Sequence, residues 1–154
     1  MVNKNVTRKE KIKKLIAVAE SLVGTPYEYG AYAKARTARK PSGVDCSSFT
    51  QYVFAQIGVD LPRSSILQAA AKGKIIKNVR DLAPGDLIFF EGTKGHYAHK
   101  LFRGKRVYIG HVAIYLGNGK IIHAREKLGH VATQKLSALT RKKFYNISYI
   151  KRFI

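Results

Sequence analysis

A single cysteine, Cys46, among 154 residues rules out an internal disulfide. One thiol suits either a cytosolic protein or a secreted enzyme whose only thiol is catalytic. Acidic residues are scarce as well: nine Asp and Glu stand against 29 Lys and Arg, a formal net charge of +20. Such a surface attracts polyanions with a strength that falls with salt, but charge alone does not choose among nucleic acid, anionic lipid and wall polymers. The longest apolar runs are a few residues, which excludes a membrane-spanning helix. The start, MVNKNVTRKEKIKKLIAVAESLVG, has a basic front, but Glu20 interrupts its apolar stretch, so it does not read as a signal peptide. That leaves a domain cut from a longer secreted protein, or export by another route. No CxxC pair and no HxxxH pair on a helix occurs, so neither a metal nor a cofactor is expected. Repeats, low-complexity segments and linker signals are also missing. With 45% hydrophobic residues, the expectation is one globular domain over residues 11–154, preceded by a flexible segment over residues 1–10.

What is present divides into a helical half and a strand half. Ile12, Leu15, Ile16, Ala19, Leu22 and Val23 recur at helical spacing, predicting an amphipathic helix from about Lys11 to Val23 that stops at Gly24. Residues 24–45 read as an irregular, basic loop. A second helix is predicted from near Cys46 to about Ile57, with Phe49, Val53 and Ile57 facing inward, and a third begins after Ser64. Beyond Gly73 come short β-rich runs at 75–79, 86–90, 107–116, 120–124, 130–133 and 147–153, separated by turn residues. Helices first and a strand meander second predict an α+β fold, N-terminal helices packed on a central antiparallel β-sheet.

Cys46 sits where a loop meets a helix, in Asp45-Cys46-Ser47-Ser48. A thiol there feels the positive end of the helix dipole and unpaired N–H donors, both of which favour the nucleophilic thiolate. The same N–H groups can cradle an oxyanion. Asp45 is placed to cap the helix, to bind a substrate amine, or both. A buried structural cysteine is the alternative, though it would be expected among apolar neighbours.

A nucleophile needs a base, and the base needs a third group to fix its tautomer. His111 and His123 flank HVAIYLGNGKIIH, which reads as a hairpin turning at Gly117-Asn118-Gly119. The expected arrangement has Nδ1–H of His111 donating to His123, leaving Nε2 for the thiol. A regular two-residue loop would pair His123 with Ile114 and send the two imidazoles to opposite faces. The pair therefore requires an odd-length turn or a bulge, which Gly117 or Gly119 can supply. His96, His99 and His130 lie in polar, basic stretches and carry no assigned role.

The segments GTPYEYG, VDCSSFTQYVFAQIGVDLPRSS, LAPGDLIFF and GHVAIYLGNGKIIHA, in this order and spacing, closely resemble the NlpC-type cell-wall cysteine peptidases (the NlpC/p-sixty family). The resemblance covers roughly residues 12–125. It implies a papain-like fold and a Cys–His–polar triad falling on Cys46, His111 and His123. It further implies hydrolysis of peptidoglycan stem peptides, usually between γ-D-glutamyl and a meso-diaminopimelate or lysine residue, in an extracellular or wall location. Tyr27 matches a family tyrosine near the nucleophile, Asp45 and Ser47 match groove-lining positions, and Arg63 and Ser64 match a groove-side Arg and its neighbour. Two departures bear on substrate preference: Tyr29-Gly30-Ala31 replaces an aromatic followed by two glycines, and a basic insert, TKGHYAHKLFRGKRVY, precedes His111.

The basic clusters Lys9–Lys14, Lys34–Lys40, Lys94–Arg106 and Arg141–Lys143 are expected to hold the protein on anionic wall polymers such as teichoic acids. Two other functions compete with the endopeptidase. One is an amidase or acyltransferase using the same trio on another amide or ester. The other is a non-enzymatic binder of polyanions or nucleic acid, for which no motif beyond charge is visible. Nucleic acid is therefore not the expected partner, and a monomer is the expected state.

Overall fold

In a computed structural model, which describes residues 5–31, 39–92, 96–97, 99–105, 107–142 and 145–154, the chain runs α1 (Arg8–Ser21), α2 (Cys46–Ala55), α3 (Ser65–Ala70), β1 (Lys74–Ile75), β2 (Leu87–Phe90), β3 (His96–Tyr97), β4 (Tyr108–Ile109), β5 (His111–Gly117), β6 (Lys120–Arg125), β7 (His130–Lys135), α4 (Leu136–Thr140) and β8 (Ile147–Arg152). Short 3-10 turns lie at 79–81, 99–102 and 126–128. Six strands form one antiparallel sheet in the order β1-β8-β2-β5-β6-β7, and β3 pairs with β4 apart from it. This is the helices-on-antiparallel-sheet, papain-like α+β architecture.

Helix α1 begins at Arg8, earlier than its apolar periodicity implies, because a capping box starts it. Thr7 accepts from Glu10 N–H while Glu10 accepts from Thr7 N–H. Helix α2 carries the same device: Asp45 Oδ1 accepts from Ser48 N–H at 2.8 Å, and Asp45 N–H donates to Ser48 Oγ at 2.9 Å. Cys46 is thereby pinned to the first position of a helix whose inner side, Phe49, Val53 and Phe54, is fully buried.

Alternation along the strands sorts the core into two layers. Leu87, Phe89, Val112, Ile114, Ile122 and Ala124 pack with Leu15, Ala19 and the buried side of α2. Ile88, Phe90, Ala113, Ile121 and Ile150 face the other way, against Leu136 and Leu139 of α4, a helix that sequence periodicity did not indicate. Emptying one large position such as Phe49 would cost about 3–5 kcal/mol. The functional consequence is a rigid frame: the start of α2 and the start of β5 are each anchored by buried apolar neighbours on both sides.

Of the basic clusters, residues 34–38, 94–95, 98, 106 and 143 lie outside the described residues.

Candidate active site

One open cleft of about 900 Å³ is lined by Cys46, His111, Tyr27, Asp45, Ser47, Arg63 and Ser64 together with Arg125, Lys127, Lys142 and Tyr145. Every site residue singled out in the sequence except His123 thus borders one cavity, and His123 stands directly behind His111.

Hairpin geometry puts the two imidazoles on one face. Gly117 pairs with Lys120 across the turn, yet Tyr115 pairs with Ile121 and Ile114 with Ile122, so a bulge falls between Tyr115 and Gly117. Asn118 and Gly119 both have positive φ, 52° and 73°, as a type I′ turn requires, and Gly117 at φ 98° absorbs the extra residue. Continued along the strand, this register sets His123 opposite Ala113, on the face His111 shares. The bulge anticipated from side-chain parity is present.

His111 Nε2 lies 2.7 Å from His123 Nδ1, and His123 Nε2 lies 2.7 Å from Gln134 Oε1. With the carbonyl oxygen of Gln134 facing the ring, His123 Nε2–H donates to it. His123 Nδ1 then accepts from His111 Nε2–H, and the lone pair of His111 is left at Nδ1. This reverses the nitrogen assignment expected from the sequence, which had Nε2 free. The physical reason is the side from which His123 approaches: it meets the far end of the His111 ring. The ring is further held by Phe90, 5.8 Å away, and by Tyr145, edge-on at 6.1 Å.

Sequence reasoning missed Gln134, because the last strand of the hairpin sheet was read as ending at 133 whereas β7 runs to Lys135. His123 pairs with Ala132, so Gln134, two residues along, shares its face diagonally. The signal was available once the strand was drawn to its full length.

The thiol rests against the beginning of β5. Burial pushes Cys46 up to about 11 and the Asp45 carboxylate adds to this, while backbone N–H groups of Val112 and Ser47 and the Arg63 charge pull the other way. The balance of these influences on the thiol is upward, desolvation outweighing the donors at the helix end. Burial, His123 and Arg125 hold His111 well below 6.5, and burial with Arg125 lowers His123 to about 4 against the opposing hydrogen bond of Gln134. On this balance the Cys46 thiol and the His111 imidazole, which border one cleft, both favour their neutral forms.

The Asp45 carboxylate is fully engaged. Oδ2 accepts from Arg63 Nη2 at 2.8 Å and Gly30 N–H at 3.1 Å; Oδ1 accepts from Arg63 Nη1 at 3.2 Å and Ser48 N–H at 2.8 Å. Burial works to raise its pKa, but the Arg63 and Ser48 hydrogen bonds and the Arg63 charge outweigh it and lower it. Arg63 also donates to Ser47 Oγ at 2.8 Å and to the Ala31 carbonyl at 2.6 Å. Asp45 and Arg63 therefore build one wall of the cleft as a locked pair. Ser64 caps α3 by accepting from Leu67 N–H at 3.3 Å. The Tyr27 hydroxyl is held well above its ordinary value by burial and by the nearby Cys46 and Asp45, so it remains protonated at the border of the same cleft.

Residues 24–149 match the NlpC/P60 family. The chain is 38% identical over 112 residues to "Probable endopeptidase p60" of Listeria seeligeri, an alignment covering 73% of this chain and 17% of that protein. It is 35% identical over 103 residues to "Bifunctional muramidase/DL-endopeptidase CwlT" of Bacillus subtilis, covering 67% of this chain and 26% of that one. The chain thus spans about a quarter or less of the length of these curated relatives. Among solved structures it is similar to the peptidoglycan hydrolase RipB of Mycobacterium tuberculosis, with a TM-score of 0.67, 27% identity, and coverage of 99% of this chain and 68% of that one. Cys46 capped at a helix start, two hydrogen-bonded imidazoles on a bulged hairpin and a family match across most of the sequence lead to one assignment: the chain belongs to the NlpC/P60 family.

Proposed function

We propose that this protein is a cysteine endopeptidase of the bacterial cell wall, acting outside the membrane on peptidoglycan stem peptides at the bond between γ-D-glutamyl and a diaminopimelate or lysine residue. One observation carries the reading: Cys46 borders the same cleft as an imidazole whose remote nitrogen is tied through His123 to Gln134. The relatives' names, endopeptidase and peptidoglycan hydrolase, support the substrate class. Among the described residues no helix is long and apolar enough to cross a membrane.

The chemistry follows from the neutral pair. As Sγ attacks the scissile carbonyl carbon, the thiol proton passes to Nδ1 of His111, and His123 and Gln134 hold the resulting imidazolium in place. The carbonyl oxygen gathers negative charge, for which backbone N–H at the start of α2 and the Tyr27 hydroxyl are the available donors. His111 then returns the proton to the leaving nitrogen, the C–N bond breaks, and a thioester remains on Cys46. Water attacks the thioester with its proton passing to His111, which gives it to the departing sulfur. Products are one free carboxyl and one free amine, and no cofactor takes part in any step.

The test is digestion of defined muropeptides by the wild type and by Cys46→Ala, read by mass spectrometry. A new pair of termini at one peptide bond, made by the wild type alone, is the expected result. Equal digestion by both proteins would remove the mechanism.

A further inference from the structure

The cleft has two chemically different walls. On the Asp45 side charge is neutralised by the Arg63 pair. On the histidine side three cations converge. Arg125, the last residue of β6, is only 6% exposed, yet its Nε has no hydrogen-bond partner. Its guanidinium lies 4.8 Å above the Tyr145 ring, which shields one face and leaves its edges. Lys127 and Lys142, both exposed, border the same cleft as Arg125, and the nearby Lys127 charge disfavours the charged form of Lys142. No carboxylate pairs with Arg125, Lys127 or Lys142 among the described residues. Glu126, between Arg125 and Lys127 in sequence, also borders the cleft; its charge is felt at Tyr27, whose N–H donates to the Gly129 carbonyl of the same turn.

Three like charges gathered around an unsatisfied buried donor cost free energy unless an anion joins them. A guanidinium is the side chain best shaped to take a carboxylate through two parallel N–H bonds. Position supplies the rest of the argument, which rests on the peptidase reading. His111 protonates the leaving amine, so the released residue lies on the histidine side of the sulfur. Arg125 is the cation near enough to both imidazoles to lower their affinity for protons.

We infer that Arg125, with Lys127 and Lys142 around it, is an anion subsite that binds a carboxylate carried by the residue whose amine is released. That carboxylate comes either from the main-chain terminus of the released residue or from its side chain. A diaminopimelate residue has the second where lysine has none.

The test uses the full chain as Cys46→Ala, which cannot turn over, and three probes titrated by calorimetry at fixed salt. Each probe has alanyl-γ-D-glutamyl joined to a different residue: lysine amide, lysine with a free α-carboxylate, or diaminopimelate with its α-carboxyl amidated. Binding of at least one carboxylate probe about 10–100-fold tighter than the amide is expected, and the tighter one identifies the source. Adding Arg125→Gln should erase that preference, and Arg125→Lys should restore part of it. Lys127→Gln with Lys142→Gln, both at exposed positions, should reduce it without affecting the fold. Equal affinity for all three probes, no binding by any, or a preference that survives Arg125→Gln overturns the subsite. Muropeptide digestion by the wild type, run alongside, reports on the peptidase reading separately: cleavage without carboxylate preference would sink the subsite alone.

Discussion

Nε2 of His111 and Nδ1 of His123 sit 2.7 Å apart, so the nitrogen of His111 available to a thiol is Nδ1. The direction of that bond is set one residue further out, by Gln134, whose Oε1 is 2.7 Å from His123 Nε2. A side-chain amide on the outermost strand of the sheet thereby fixes the tautomer of a ring two strands away.

Gln134→Leu should therefore lower kcat about 10²-fold, the lower end of what a positioned acid–base group contributes, while KM changes little because Gln134 is not among the cleft-lining residues. Gln134→Glu retains an acceptor and should recover most of the rate. Steady-state kinetics on a cleaved stem peptide would measure both, and a Gln134→Leu enzyme with unchanged kcat would show that the tautomer is fixed by something else.

A thiol raised to about 11 predicts slow alkylation at neutral pH. The rate of iodoacetamide labelling of Cys46 should climb with pH through the range in which a free thiol has levelled off, without a plateau in the acid range. Mass spectrometry of the labelled protein against time gives the profile. A plateau reached near pH 5–6 would mean that Cys46 and His111 rest as an ion pair.

The same burial makes stability sensitive to acid. His111 and His123 have folded-state values below the 6.5 of a free imidazole, His123 at about 4. Between those values and 6.5 the unfolded chain binds more protons than the folded one, so stability rises with pH across that window. It is complete above pH 6.5 and drains away as pH falls toward 4. Denaturant midpoints measured between pH 7 and 4 should fall, and His123→Gln should fall less steeply. Parallel curves for the two proteins would contradict the assignment.

Gly117 holds the bulge at φ 98°, and a Cβ there would meet Pro84 Cγ at 3.3 Å. Gly117→Val should cost about 1–3 kcal/mol through backbone strain and should lower activity further, because the bulge sets the register that brings His123 behind His111. Thermal melts and kinetics together separate the two effects. A variant as stable and active as the wild type would show that the register survives without the glycine.

Much of this was legible from the sequence because it rests on local rules. Helix periodicity located α1 and α2, Asp45 announced a cap, and Asn118-Gly119 between alternating apolar runs announced a hairpin. Even the bulge followed from counting, since two imidazoles twelve residues apart cannot share a face across a regular two-residue turn. Helix α4, only five residues long, escaped because it is too short to show a period.

Tertiary structure decided the rest, and each case involves a quantity that needs three dimensions. The upward pull on the Cys46 thiol comes from the water its helix end loses against the rest of the fold, which the sequence does not show beside the dipole that it does. Which nitrogen of His111 is left free depended on the side from which His123 on the neighbouring strand meets the ring. Gln134 and Arg125 became candidates only when the sheet brought them beside His123 and into the cleft, because their types and spacings carry no pattern of their own. A sequence records which groups are available and how its segments are paced, whereas solvation and orientation belong to the assembled chain.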